Sequence, residues 1–169
     1  GIDHMRNIQV VGIVGAGQMG RGIAQVAAQT GFEVILFDAF KNSLDFGHNF
    51  IKTQLDKGAE KGKWSADDAK KSFSKIKTTL EMSDLKSCDL IVEAATERKD
   101  LKFDIFRKLD EVAKADAILA SNTSSISITE IAAVTKRPQN VAGMHFMNPV
   151  PLMKLVEGIR GLETSDDTF

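Results

Sequence analysis

His145 stands out for acid–base chemistry, because an imidazole changes its charge near neutral pH. A carboxylate that orients the ring and stabilises its charged form makes proton transfer more effective. Glu157 lies in an otherwise apolar run, where a carboxylate needs either a partner or an exposed position on an edge strand. The loop Ser121–Ser125 offers hydroxyl and amide groups, which suit a ligand as well as ordinary turns and helix caps. These residue types favour proton transfer to or from an oxygen atom.

A glycine-rich loop near the start of the chain has the spacing of a dinucleotide-binding turn. An apolar run is followed by Gly-Ala-Gly-Gln-Met-Gly and then by an Ala-rich stretch that ends at Gln29. Gly15 permits the tight turn, Gly17 lets a pyrophosphate approach the backbone, and Gly20 lets the helix lie close to the strand. The start of the helix, with Gln18 and Met19, offers free N–H groups and a partial positive charge to the phosphates. The loop therefore predicts a bound dinucleotide.

Asp38 follows the next apolar run, and its carboxylate can accept both hydroxyls of an adenosine ribose. A 2′-phosphate at the same place would be repelled by this carboxylate and would require a nearby arginine. No arginine follows Asp38 directly, although Lys41 offers partial compensation. The sequence therefore predicts NAD as the cofactor and disfavours NADP, and nothing else in it suggests a flavin site.

Apolar runs that alternate with amphipathic stretches predict a parallel sheet with helices on both faces. The predicted strands are Gln9–Val14, Glu33–Phe37, Lys75–Leu80, Leu90–Ala94, Ala117–Ala120, Val141–His145 and Met153–Ile159. The predicted helices are Ile23–Gln29, Asn42–Gly62, a short helix capped by Ser65, Lys99–Ala113, and Ile128–Val134 behind a capping box that starts at Ser127. Because ligands bind at the carboxyl ends of parallel strands, we expect the loops there to form the site. Those loops are Gly15–Gly20, Ala95–Arg98, Ser121–Ser125 and His145–Pro151. The pattern predicts a Rossmann-type, doubly wound α/β fold with a mostly parallel sheet.

Length and composition limit the classes of function. A chain of 169 residues suits one domain, expected at residues 5–169, with residues 1–4 as a remnant of expression. The net charge of −1 gives no general attraction for nucleic acid or an anionic membrane, so neither partner is expected. No apolar run is long enough to span a bilayer, and the single Cys88 suits a reducing compartment, so we expect a cytoplasmic protein. No metal site is expected. Near the end of the sequence, Thr164 or Ser165 is predicted to cap the start of a helix.

Several segments carry a resemblance to a known family. They are Gly-Ala-Gly-Gln-Met-Gly-Arg-Gly-Ile-Ala (Gly15–Ala24), Val-Glu-Ala-Ala-Thr-Glu (Val92–Glu97), Ser-Asn-Thr-Ser-Ser (Ser121–Ser125) and Gly-Met-His-Phe-Met-Asn-Pro-Val-Pro (Gly143–Pro151), followed by Leu-Val-Glu (Leu155–Glu157). These segments, in this order along the chain, are highly specific for one family. From about Arg6 to Phe169 the chain resembles the nucleotide-binding domain of the L-3-hydroxyacyl-CoA dehydrogenase family, which includes 3-hydroxybutyryl-CoA dehydrogenases.

The resemblance implies oxidation of the 3-hydroxyl of an L-3-hydroxyacyl-CoA to the 3-oxoacyl-CoA, or the reverse reduction, with NAD as the hydride carrier. It implies that His145 is the general base and that Glu157 is its orienting partner. It also implies that Ser124 hydrogen-bonds the 3-oxygen of the substrate and that Asn148 helps to position nicotinamide and substrate. The chemistry agrees with these roles, because Ser124 and His145 can both bind the 3-oxygen of the substrate and stabilise the charge that develops on it during hydride transfer.

Further parts of the site follow from the same resemblance. Glu97 and Lys102 would contact the nicotinamide side of NAD. The CoA moiety of an acyl-CoA would run beside the long helix, where Lys61 is one possible contact and a solvated lysine face is an equal alternative. The family's helical second domain, expected outside this chain, would close over the substrate and form most of a homodimer contact. Without this domain we expect the chain to bind NAD and to turn over poorly.

Two other interpretations stay open at this point. The first is a β-hydroxyacid dehydrogenase of the 6-phosphogluconate type, which shares the glycine pattern but uses a lysine base, and the segment Gly143–Pro151 argues against it. The second is a catalytically silent NAD-binding module. The joint presence of Ser124, His145, Asn148 and Glu157 disfavours a silent module.

Overall fold

The structure, a computed structural model, describes residues 7–164, so the expectations for residues 1–4 and for Ser165 lie outside the described residues. The strands are β1 (Val10–Val14), β2 (Glu33–Phe37), β3 (Ile76–Thr79), β4 (Leu90–Glu93), β5 (Ile118–Ser121) and β6 (Val141–Gly143). The α-helices are α1 (Gln18–Gln29), α2 (Lys41–Glu60), α3 (Ala66–Ser74), α4 (Lys99–Val112), α5 (Ile128–Ala133) and α6 (Leu152–Thr164). Short 3-10 helices cover Met82–Ser87 and Pro138–Asn140. Within residues 7–164, no helix combines the length and apolar character needed to cross a bilayer.

The strands form one six-stranded parallel sheet in the order β3-β2-β1-β4-β5-β6. Strands β4 and β5 are buried along their whole length, which is typical of a parallel sheet with both faces covered. The chain continues from β1 to β2 on one side and later returns to β4 on the other. In open sheets of this kind ligands bind at the carboxyl ends of the strands at such a reversal. The predicted Rossmann-type fold is confirmed.

Apolar side chains cover the two faces of the sheet in two clusters. Ile23 of α1 and Ile51 of α2 belong to the first cluster, together with buried residues of α6. Phe106 of α4 and Ile131 of α5 belong to the second. Each such side chain contributes about 1.5–3 kcal/mol relative to an exposed position. The helices are thereby fixed against the sheet, and their ends fix the loops at its carboxyl edge.

The final element differs from the prediction: Met153–Ile159 is not a strand but part of α6. The buried residues Leu155, Ile159 and Leu162 are spaced four and three apart, which is the period of a helix with one apolar face. They pack in the same cluster as α1. The apolar run considered in the sequence is too short to distinguish the helical period from that of a buried strand.

Helix caps were predicted with mixed success. The hydroxyl of Ser65 accepts a hydrogen bond from the backbone N–H of Asp68 at 2.9 Å, and that of Ser127 accepts one from Glu130 at 3.3 Å. Both caps are confirmed. Thr164 is not a cap at a helix start, because it is the last residue of α6 and its hydroxyl donates to a carbonyl of the preceding turn.

His48 gives the fold a pH dependence. Its ring stacks on Phe73 with the centroids 4.5 Å apart, and its buried Nε2 atom has no hydrogen-bond partner among residues 7–164. Burial lowers the pKa of His48 below the ordinary value of 6.5, and Asp45 partly offsets this effect. The unfolded chain therefore takes up the proton first, so the free energy of unfolding falls as the pH drops below about 6.5, by at most about 1.4 kcal/mol per pH unit.

Urea unfolding at about pH 7.5 and about pH 5.5 measures this loss of stability. His48→Phe keeps an aromatic ring against Phe73 and removes the titrating group, so we expect a smaller loss in the variant. The same loss in variant and parent would assign the pH dependence to other groups.

Candidate active site

The turn between β1 and α1 brings backbone and helix close together. Gly15 has a φ of +107°, in the left-handed region that favours glycine. A Cβ added at Gly20 would lie 1.6 Å from the carbonyl oxygen of Gly15, so only glycine lets α1 lie this close to the turn. At Gly17, in contrast, an added Cβ would meet no atom of the protein within 4 Å. Gly17 is also the N-cap of α1 and offers no side chain to the first N–H groups of the helix. Open space beside unsatisfied donors fits a pyrophosphate.

Asp38 lies directly after β2 and faces the same turn. Its Oδ2 atom accepts a hydrogen bond from the N–H of Ala16 at 2.9 Å, and its Oδ1 atom accepts one from Phe40 at 2.9 Å. These bonds fix the carboxylate beside the glycine turn. Each carboxylate oxygen keeps capacity for a further donor, such as a ribose hydroxyl. The residues present therefore fit the predicted dinucleotide.

A buried ion pair lies beneath the carboxyl ends of β4 and β5. Lys102, from the first turn of α4, places its Nζ atom 2.6 Å from Oε1 of Glu93 and donates to Oγ of Ser121 at 3.0 Å. The hydroxyl of Ser121 in turn donates to the same Glu93 oxygen at 3.0 Å. All three residues are 0% exposed. The ammonium of Lys102 is thus bonded within the protein. Its predicted contact with the nicotinamide side of NAD stays a prediction.

Glu97 lies in the exposed loop above this pair and joins two loops. Its carboxylate accepts hydrogen bonds from the hydroxyls of Ser125 at 2.7 Å and Thr123 at 3.1 Å. The Nζ atom of Lys102 lies 3.8 Å from it. The Ser125 bond is the largest cause that lowers the pKa of Glu97, and Thr123, Lys102 and the backbone of Ser124 add to it. Glu97 is thereby kept as a charged acceptor, which suits the hydroxyl groups of a ribose.

His145 lies in the loop after β6, since that strand ends at Gly143 and not at His145 as predicted. The partner strand β5 ends at Ser121, which pairs with Gly143. Beyond that point the N–H before His145 donates to the carbonyl of Ser121 at 3.0 Å, and the N–H after it donates to Oδ1 of Asn122 at 2.8 Å. His145 is thus exposed and fixed beside the loop that carries the exposed Ser124.

Glu157 lies on α6, so the predicted strand is wrong at this position. Of the two alternatives considered, a partnered carboxylate or an exposed one, the structure shows an exposed side chain. His145 and Glu157 nevertheless line one open cavity of about 400 Å³, together with Lys154 and Gly158. Within residues 7–164 no hydrogen bond joins the imidazole to the carboxylate. The structure brings the predicted base and its predicted partner to the same cavity.

Asn148 lines a different groove of about 480 Å³, which also includes Gln18 and Gly22 of α1. A Cβ at Gly22 would lie 3.7 Å from Oδ1 of Asn148, so this amide is close to the start of α1. The peptide bond from Asn148 to Pro149 is cis. Met19 has a different environment from Gln18, because it packs against the apolar cluster under α1. Asn148 and Gln18 therefore face a shared groove, whereas Met19 lies at the core.

Sequence reasoning gave no role to Glu93, Ser121 or Arg21. A glutamate that directly follows three apolar residues of a buried strand was a usable signal, because a buried carboxylate requires a partner. Arg21 lines a cavity of about 280 Å³ together with Gly17, and its guanidinium lies 4.3 Å from the ring centre of Phe50. Arg21 therefore lies beside the glycine turn, whereas the sequence-based prediction against NADP depends only on the residues that follow Asp38.

Comparison with known proteins identifies relatives. A family model described as "3-hydroxyacyl-CoA dehydrogenase, NAD binding domain" matches residues 10–169. A probable 3-hydroxybutyryl-CoA dehydrogenase of Deinococcus radiodurans is 51% identical over 157 residues, which cover 93% of this chain and 56% of that protein. A 3-hydroxybutyryl-CoA dehydrogenase of Bradyrhizobium diazoefficiens is 48% identical over 162 residues, which cover 96% of this chain and 55% of that protein. The chain therefore spans about half the length of these relatives.

Solved structures agree with the sequence comparison. The crystal structure of (S)-3-hydroxybutyryl-CoA dehydrogenase from Ralstonia eutropha superimposes with a TM-score of 0.84 at 41% identity and covers 95% of this chain and 56% of that one. The crystal structure of FadB2 from M. tuberculosis gives a TM-score of 0.84 at 44% identity, over 86% of this chain and 52% of that one. The geometry of the candidate site is thus set within a fold shared with both proteins.

Proposed function

The chain belongs to the 3-hydroxyacyl-CoA dehydrogenase family as its NAD-binding domain, and on that premise we propose that it binds NAD and supplies the proton-transfer groups of an L-3-hydroxyacyl-CoA dehydrogenase. The observation that carries the proposal is the attachment of the His145 loop to Ser121 and Asn122, beside Ser124. An imidazole and a hydroxyl group thus lie together at the carboxyl end of the same sheet that carries the glycine turn. The family match favours this function over the two alternatives considered from the sequence.

The reaction needs hydride transfer from carbon and proton transfer from oxygen, and NAD when bound supplies the hydride acceptor or donor. His145 accepts the proton of the 3-hydroxyl at Nδ1 or Nε2 during oxidation and returns it during reduction. The hydroxyl of Ser124 donates a hydrogen bond to the same oxygen and stabilises the charge that develops there. Glu157 stabilises the imidazolium from across the cavity that it lines with His145.

The remaining site residues have roles in binding. Gly17 and Gln18 at the helix start contact the pyrophosphate, in a turn whose shape depends on Gly15 and Gly20, and Asp38 accepts the ribose hydroxyls. Glu97 binds on the nicotinamide side with Lys102 beneath it, and Asn148 positions nicotinamide and substrate from the groove along α1. We further propose an acyl-CoA substrate, a second domain outside this chain and a homodimer. A cytoplasmic location and a role in fatty acid metabolism also remain proposals.

NADH oxidation with acetoacetyl-CoA tests the proposal in a protein that carries this chain and has the length of the relatives. We expect NADH oxidation that depends on the acyl-CoA. The 169-residue chain alone should bind NADH and turn over slowly, because it spans only about half the length of these relatives. Absence of NADH binding by the chain would contradict the proposal.

Asp38→Ala should weaken NADH binding by about 10- to 100-fold, because hydrogen bonds to a charged group are worth about 1.5–3 kcal/mol. Fluorescence titration of the chain with NADH measures the change. Asp38→Asn is the matched control, since an amide oxygen can still accept from the N–H of Ala16 and keep the turn in place. Unchanged affinity in Asp38→Ala would rule out the ribose assignment.

A further inference from the structure

We propose that Glu93 is a positioning residue of this dehydrogenase site: its buried carboxylate fixes Glu97 and thereby the nicotinamide side of the cofactor site. The inference rests on the proposed function, which gives Glu97 its role in binding. Glu93 is the last residue of β4 and is 0% exposed, so it touches neither cofactor nor substrate. Its effect must pass through the residues that it holds.

Both oxygens of Glu93 are occupied by hydrogen-bond donors. Oε1 takes the ammonium of Lys102 at 2.6 Å and the hydroxyl of Ser121 at 3.0 Å. Oε2 takes the backbone N–H groups of Ala95 at 2.8 Å and Thr96 at 3.2 Å. A carboxylate with four donors is fully paired, which a buried charge requires. The donors belong to three elements: the loop after β4, the end of β5 and the first turn of α4.

Three of these four bonds lead to Glu97. The bonds to Ala95 and Thr96 fix the backbone immediately before Glu97. The bond to Lys102 holds the ammonium whose Nζ atom lies 3.8 Å from the Glu97 carboxylate. Glu93 therefore constrains Glu97 through the chain and through an ionic contact.

The constraint extends to the substrate side. Ser121, bonded to Glu93, is the last residue of β5 and leads into the loop of Thr123 and Ser125, which donate to Glu97. Ser124 lies between these two donors. A leucine or methionine at position 93 would fill the same space without the desolvation of a charge, but it would hold none of the four donors. The carboxylate thus serves the alignment of loops rather than the packing of the core.

A double-mutant cycle between Glu93 and Glu97 tests this inference. Glu93→Gln and Glu97→Ala should each weaken NADH binding to the chain by about tenfold or more. If Glu93 acts through Glu97, then Glu93→Gln adds little in the Glu97→Ala background, and the double variant binds as weakly as Glu97→Ala alone. Additive losses, or unchanged affinity in Glu93→Gln, would overturn the inference.

A readout without cofactor separates this inference from the proposed function. Amide hydrogen exchange at Ala95 and Thr96 should be faster in Glu93→Gln than in the parent chain, with no NADH present. Unchanged exchange there overturns the positioning role, whereas a failure of the parent chain to bind NADH would count against the proposed function. If Glu93→Gln does not fold, the paired variant Glu93→Leu with Lys102→Met keeps an apolar contact and permits the same exchange measurement.

Asp110→Asn is the matched control for general destabilisation. Asp110 pairs with Arg137 at 2.7 Å and is only 10% exposed, so its loss also weakens a largely buried ion pair. It lies near the other end of α4, away from Glu97. We expect lower thermal stability with unchanged NADH affinity and unchanged exchange at Ala95. Weaker NADH binding in this control would show that destabilisation alone explains the Glu93 effect, and would overturn the inference.

Discussion

His145→Gln is expected to lower kcat of the full-length enzyme by about 10²- to 10⁴-fold, the usual contribution of a general acid or base. Glutamine is similar in size and forms hydrogen bonds, but it cannot take up a proton at neutral pH. The loop should keep its place, because the bonds to Ser121 and Asn122 come from the backbone on either side of His145.

The measurement compares acetoacetyl-CoA-dependent NADH oxidation by the parent enzyme and the variant. NADH affinity, measured on the chain alone, should be the same for both, since His145 is proposed to act on the substrate and not on the cofactor. Equal kcat values would show that His145 is not the base. A loss of NADH affinity that accounts for the whole loss of activity would move His145 from proton transfer to cofactor binding.

Alanine at Gly17 and alanine at Gly20 should separate cofactor binding from folding. At Gly17 the added methyl group meets no protein atom within 4 Å, so the stability should change by less than about 1 kcal/mol. The same methyl group occupies the space where the pyrophosphate is proposed to lie, so we expect NADH binding to weaken by about 10- to 100-fold.

The opposite pattern is expected at Gly20. An added Cβ would lie 1.6 Å from a backbone oxygen, which cannot move aside as a side chain would. The free energy of unfolding of Gly20→Ala should therefore be lower by about 3 kcal/mol or more. Thermal unfolding and NADH titration of both variants check the pair. A Gly17→Ala chain that binds NADH normally would place the phosphates elsewhere.

The sequence predicted those parts of the fold that local patterns determine. Strand β2 has the predicted bounds Glu33–Phe37, and Ser65 caps α3 as expected, because burial and capping act over a few residues. Residues Met153–Ile159 belong to helix α6 where the sequence predicts a strand, because the helical period of the buried residues becomes clear only when Leu162 is included. A short apolar run does not carry that information.

The candidate site was predictable to a different extent. The glycine turn and Asp38 are recognisable because their spacing along the chain reflects their geometry. The pairing of Lys102 with Glu93 and Ser121 was not predicted, because it depends on how α4 packs against two strand ends. The contact of Lys102 with the nicotinamide side of NAD, which the family resemblance implies, stays a prediction, whereas the bonds of its ammonium to Glu93 and Ser121 are known only from the structure.

The loops after β4, β5 and β6 are hydrogen-bonded to one another by the protein's own groups, through Glu97 and through the backbone beside His145. The conformational entropy of these three loops is therefore lost on folding, so ordering them does not weaken ligand binding. Binding to this side of the site should proceed with little rearrangement, close to a rigid-body association.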